Sequence, residues 1–173
     1  MPGKWPWFER KFNFDFPTEK YPDVIERLRG TPARVEELIR DLPADILTRR
    51  DHDAWSIQEN AGHLADVEPL WAARIEDILG GAEVMREADL TNTKTHNANH
   101  NARPLSKVTA SFRTLRTDLI RRLDSLSDAD FAKASIHPRT KLRMRVVDLC
   151  TFVADRDDYH LARITELHRR FTP

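Results

Sequence analysis

The sequence predicts an all-α four-helix bundle, and three observations carry that expectation. Four segments place apolar residues three and four apart, the period of a helix with one buried face. Proline, glycine and capping residues mark where those segments start and stop. Only one stretch alternates with period two, and it has no second such run to pair with. The 173 residues suit one domain with a full core.

Residues 1–17 come first. Trp5, Trp7, Phe8, Phe12, Phe14 and Phe16 are interrupted by Pro2, Pro6 and Pro17, and the last three aromatics alternate with Asn13 and Asp15. We expect an extended arm that lays aromatics onto the helical body, with an exposed dimer arm as the other option. Residues 18–173 are then a single helical domain.

The first helix runs from about Tyr21 to Leu42 on Val24, Ile25, Leu28, Val35, Leu38 and Ile39. Pro32 clashes with the preceding turn, so a kink or a fresh start capped by Thr31 is expected. Pro43 ends the segment. The second helix opens on Ser56-Ile57-Gln58-Glu59, a capping box, which gives Glu59 a structural role. Leu64, Val67, Leu70, Trp71, Ile75 and Ile78 follow; Pro69 should bend the helix, and Gly80-Gly81 stops it.

Residues 82–103 hold no sustained period, and a long loop of this kind is more often functional than a plain connector. The third helix steps through Leu105, Val108, Phe112, Leu115, Leu119, Leu123 and Leu126, with Pro104 near its first turn. Ser127-Asp128-Ala129-Asp130 suggests one extra turn, and His137-Pro138-Arg139 reads as loop. The fourth helix runs from about Val146 to Arg169.

Composition excludes several classes of function. Lys and Arg number 28, as do Asp and Glu, so the net charge is zero and no global field holds nucleic acid or an acidic membrane. One cysteine, Cys150, permits no internal disulfide and reads as a small buried residue. No apolar run approaches the ~20 residues that span a bilayer, and the first residues carry no apolar signal core. The expected compartment is the cytoplasm, and the expected partner is a small molecule.

Sites in bundles are built from side chains that face inward from several helices. Asn60, His63, Val67, Leu70 and Arg74 share one side of the second helix; Leu149, Phe152, Arg156, His160, Arg163 and Leu167 share one side of the last. His63, Arg156 and His160 therefore point toward a common axis, with Asn60, Arg74 and Arg163 as further pocket-lining candidates. His96 and His100 have metal-ligand spacing, but the asparagines around them make a poor helix. Taken singly, each of these histidines reads first as a core or boundary residue. His137, His52 and His168 have no pattern to promote them.

Trp55-Ser56-Ile57-Gln58-Glu59-Asn60-Ala61-Gly62-His63-Leu64, joined to the distant Asp158-Tyr159-His160-Leu161, resembles the DinB-like (DinB/YfiT) superfamily. Thr95-His96-Asn97-Ala98-Asn99-His100-Asn101 is similar to one branch of it. The resemblance covers about Pro22 to Leu167. It implies a four-helix bundle, often dimeric, with a divalent metal such as zinc or nickel held between helices, and a thiol-dependent transferase or hydrolase type of activity.

The family pattern takes a metal ligand from His63 and an H-x-x-x-H pair from the last helix. Its second member is His160, and its first falls on Arg156. A guanidinium has no lone pair for a metal. Asp155 and Asp157 lie ~100° to either side, so neither is a ready substitute; His96 or His100 could enter from the loop. Three readings follow. The protein is a metal-dependent enzyme with an altered site, a metal-free module in which Arg156 grips an anion or carboxylate, or a non-catalytic dimeric bundle.

Overall fold

The computed structural model describes residues 5–172. Its elements are α1 (Tyr21–Ile39), α2 (Ala44–Thr48), α3 (Ile57–Leu79), α4 (Thr93–Asn97), α5 (Leu105–Asp124), α6 (Asp128–Ala132), strands β1 (Ala134–Ile136) and β2 (Arg143–Arg145), and α7 (Val146–Phe171). Three single 3₁₀ turns complete them, at Trp7–Glu9, Thr18–Lys20 and His100–Ala102.

The long helices α1, α3, α5 and α7 form the bundle. Each of α1 and α3 packs on both α5 and α7, so α1 and α3 face each other diagonally across the axis. Side-chain pairs give the directions. Arg27 bonds Asp155 and Arg34 bonds Asp158, so α1 and α7 run parallel. Glu68 meets Arg116 and Glu76 meets Arg122, so α3 and α5 run parallel as well. Arg29 reaches Asp124 while Arg113 reaches back to Glu36, which sets α1 antiparallel to α5.

Parallel neighbours cannot be joined by a tight turn. The chain leaving α3 must return along a helix of 23 residues, about 35 Å, before α5 can start. Residues 80–104 are that return path, which is why they are long and aperiodic. They lie over α3 and bring α4 and the His100 turn against it.

Two apolar blocks fill the bundle. One gathers Leu28, Trp71, Leu119, Phe152 and Val153; the other gathers Val35, Leu64, Phe112, Leu161 and Ile164. A polar layer separates them, formed by Thr31, Glu68, Arg116 and Asp157, one residue from each long helix. The Arg116 guanidinium donates to Glu68 at 2.6 and 3.0 Å, to Asp157 at 2.7 and 3.2 Å, and to the Leu28 carbonyl at 2.9 Å. Thr31 donates its hydroxyl to Asp157 at 2.8 Å.

That role corrects one of the two options expected at Gly30-Thr31-Pro32, the fresh start capped by Thr31. Helix α1 continues through Pro32, and Thr31 caps nothing; its hydroxyl belongs to the polar layer. The expected capping box at Ser56 is formed, with Glu59 returning to the Ser56 amide, and Arg50 also pairs with Glu59. Gly80 closes α3 as expected. Pro43 does more than end a helix, because it is the N-cap of α2.

The expectation of no strand pair is also corrected. β1 and β2 form an antiparallel hairpin, with Ser135 opposite Met144. Both of these residues are buried, and Val84 bridges to Ile136 from the return path. The arm packs on its own chain from Trp7 onward, while Trp5 is exposed; residues 1–4 of the expected arm lie outside the described residues. Trp7 is buried against Phe152 at 5.0 Å and Tyr159 at 5.9 Å, and Arg145 donates to the Phe14 and Phe16 carbonyls.

Candidate functional site

A cavity of about 420 Å³ opens along the seam between α3 and α7. Trp7 and Phe8 of the arm, the return path and the loop between β1 and β2 close over it. Its wall is apolar and aromatic, from Val67, Leu70 and Trp71 on α3 to Phe152 on α7 and Trp7 on the arm. Cationic groups stand at both ends of that wall. Size and composition suit a small organic ligand.

At one end His63 meets Arg156 and, behind them, His160. The His63 and His160 rings are 4.8 Å apart, and Trp55 lies 4.6 Å from His63. Hydrogen bonding fixes both tautomers. Thr95 donates its hydroxyl to Asp66 at 2.9 Å, so its oxygen accepts the proton of His63 Nδ1, also at 2.9 Å. Asn60 turns its amide nitrogen to the Trp55 and Ser56 carbonyls, so its oxygen accepts from His160 Nδ1 at 3.0 Å. Each imidazole therefore carries its lone pair on Nε2. At His63 that lone pair accepts from Arg156 Nη2 at 3.1 Å.

Burial first, and the Arg156 charge second, push the His63 pKa down to about 3, so the ring is neutral at pH 7. Burial pushes Arg156 down to about 10, and it stays a cation. Its guanidinium lies 5.1 Å from the Trp7 ring, and its Nε is buried without a hydrogen bond. Burial works against ionisation of Asp66, but hydrogen bonds from His100 and Thr95 outweigh it and hold the carboxyl below its ordinary value.

At the other end Arg74 crosses from α3 to the loop between the strands. It is 2% exposed, donates from Nε to the Arg86 carbonyl at 3.0 Å, and faces His137. Burial pushes Arg74 down to about 10. His137 falls to about 3, through burial and then the charge of Arg74. Arg139 adds to this end, with its pKa also lowered by burial, and its charge bears on Arg156 as well as on Arg74. Among the described residues, Arg74, Arg139 and Arg156 make no ion pair with any carboxylate.

The residues singled out from the sequence thus divide. His63, Arg156 and His160 come together, and Asn60 orients His160 without lining the cavity. Arg74 lines the far end. Arg163 does not line the cavity; it is held by Asp51 at 3.2 Å and Glu166 at 2.9 Å. His96 is exposed, 5.6 Å from Trp55. His100 is buried behind α3 and bonds Asp66 at 2.7 Å. Its ring sits so close that a Cβ on Gly62 would lie 2.4 Å away, which is why Gly62 carries no side chain. Neither loop histidine takes the place left by Arg156.

A divalent metal does not fit this donor set. The position expected for a third imidazole holds a cation whose nitrogen already occupies the His63 lone pair. Asp155 pairs with Arg27 and Asp157 with Arg116, so both adjacent carboxylates are committed elsewhere. Among the described residues no group of three His, Cys, Asp or Glu could hold an ion.

Sequence reasoning missed Asp66, Thr95, His137, Arg139 and Trp7. Asp66 had a signal, since it lies three residues from His63 and so on a neighbouring face. The other four come from the arm, the return path and the hairpin loop, where no period says which way a side chain points. Cys150 is buried as expected, and burial pushes its thiol up to about 12. No helix among the described residues is long and apolar enough to cross a membrane.

The family model described as the DinB superfamily matches residues 27–164. Among solved structures, YfiT from Bacillus subtilis aligns over 96% of each chain with 23% identity and a TM-score of 0.81. That protein is described as a probable metal-dependent hydrolase with an unusual four-helix bundle topology. No curated protein matches the chain.

Proposed function

The chain belongs to the DinB superfamily, and from that premise we propose that it binds a small organic oxyanion, a carboxylate or phosphate carried on an apolar body. Arg156 supplies the positive charge that a divalent ion would supply in a three-histidine site. One observation carries this reading: Arg74, Arg139 and Arg156 face one cavity without a carboxylate partner. Buried charges in proteins are paired or coordinated. Asp66, Glu87 and Asp89 also line the cavity but pair with none of these arginines, so three cations without an ion-pair partner point to an anion brought in by the ligand.

The geometry supports a chemical role as well as a grip. An oxyanion beside Arg156 would accept charge-assisted hydrogen bonds from its guanidinium and lie against the neutral His63 ring. The aromatic wall of Trp7, Trp71 and Phe152 suits the ligand's apolar part. The experiment is elemental analysis of purified protein followed by calorimetric titration with benzoate and phenyl phosphate. We expect no stoichiometric metal, and saturable binding that Arg156→Gln weakens. Stoichiometric zinc or nickel that survives dialysis and is lost in His63→Ala would overturn the reading.

A second reading keeps metal-dependent hydrolysis, the activity attributed to YfiT. What favours it is the Nδ1–H anchoring of both histidines, the arrangement that orients imidazole ligands in metal sites. The variant Arg156→His separates the two. If only the guanidinium stands in the way, this variant takes up one zinc or nickel per chain, and the unaltered protein takes up none.

A further inference from the structure

The Arg74 end of the cavity contains a conflict that its own residues do not resolve. His137 Nδ1 accepts from the backbone amides of Arg139 and Thr140 at 3.2 and 3.3 Å. The ring proton must then sit on Nε2. Yet the atom facing Nε2 at 3.0 Å is Arg74 Nη1, which can only donate. Two donors point at each other within a region where both side chains are 2% exposed. Arg139 Nη2 is also buried without a hydrogen bond. Donors that converge in a dry place with no acceptor between them are costly. An oxyanion resolves the conflict, because it accepts from all of them.

The conflict is absent at the other end. There the Arg156 donor meets the His63 lone pair, and the His63 proton has Thr95 and then Asp66 behind it. The two ends lie along one apolar wall. His63 and Arg74 are eleven residues apart on α3, or about 16 Å along its axis. Between them Phe152 contacts both the His137 ring and the Trp7 ring at 5.0 Å.

We propose that Arg74, His137 and Arg139 form a second oxyanion subsite, so that the cavity takes a molecule with two acidic ends joined by an apolar segment. This rests on the anion-binding reading of the Arg156 end and adds the class of ligand to it. Each acid group is a carboxylate or a phosphate, since both accept from guanidinium and imidazole alike.

The test is calorimetric titration of the full chain at about 0.15 M salt, where long-range attraction is screened. Two sets of probes are used. One compares linear dicarboxylates, from glutarate to sebacate, with monocarboxylates of equal length. The other compares phenyl phosphate with 4-carboxyphenyl phosphate.

We expect the diacids to bind about tenfold or more tightly than the monoacids, with an optimum in chain length. The set that gives the larger gain identifies the acid at the Arg156 end. His137→Ala and Arg139→Gln should bring diacids down to the monoacid level, removing the gain from the second acid group; Arg156→Gln should weaken both classes. Arg139 is half-buried on a loop, so its variant tests the subsite even if His137→Ala fails to fold. Equal binding of monoacids and diacids would overturn the second subsite while leaving a single-anion site standing. Binding of neither class would overturn the anion-binding reading itself, and this inference with it.

Discussion

Two arginines buried in this bundle have opposite surroundings. Arg116 is 1% exposed and meets two carboxylates, a carbonyl and, through Asp157, the hydroxyl of Thr31. Those partners come from the other three long helices, and although burial works against the charge, the carboxylates outweigh it and raise its pKa. Arg74 is 2% exposed and meets a carbonyl and another donor; burial lowers its pKa, as it does for Arg156. One charge is neutralised within the fold, and the others are held where the fold leaves them uncompensated. The first arrangement fixes helix register, and the second suits a molecule that arrives from outside.

The sharpest way to break this contrast is Arg116→Met. It strands Glu68 and Asp157 as buried acids, and about 3–5 kcal/mol should be lost in urea denaturation. A loss below about 1 kcal/mol would show that the polar layer carries no such burden.

The next effect has the opposite sign. A saturating oxyanion ligand should stabilise the protein by about 2.7 kcal/mol at a hundredfold excess over its Kd. Thermal melts should show it in the unaltered chain and not in Arg156→Gln. An equal shift in both would remove Arg156 from the contrast.

Acidity sharpens the comparison further. His63 and His137 are both held near pKa 3 in the folded chain, well below the value of about 6.5 for an unfolded histidine. The unfolded state therefore takes up protons first as pH falls. Stability is full above pH about 6.5 and is lost progressively toward pH about 3, by about 2 kcal/mol for each ring at pH 5. His63→Asn should flatten half of that slope, and a profile unchanged by the substitution would count against a neutral, buried ring.

The smallest effect is the most diagnostic. Arg156→Met removes an uncompensated cation, so its denaturation midpoint should stay within about 1 kcal/mol of the parent or rise. A loss as large as that of Arg116→Met would make Arg156 a strut too.

Much of the frame was readable along the chain. Apolar spacing gave the four long helices, Ser56 and Gly80 marked the ends of α3, and the stripes on α3 and α7 brought His63 to Arg156 and His160. The hairpin was hidden because Ala134-Ser135-Ile136 and Arg143-Met144-Arg145 are too short to show a period. Whether α1 restarts at Pro32 or runs through it was left open, because the cost of an interior proline is offset by packing that no local rule contains. His137 was passed over for a related reason. Its importance lies in what Arg74 and two amides do around it, and none of that is written in its neighbours.

The return path from α3 to α5 carries a last consequence. Because α3 and α5 point the same way, a long cable must be strung back along the bundle, and it is this cable that lays Thr95 over His63 and roofs the chamber. Its exposed positions, Glu87, Asp89 and Leu90 among them, line that chamber without entering either apolar block, so exchanges there leave the four pillars standing. Descendants of this architecture can thus change the ceiling, and with it the guest, without redesigning the house.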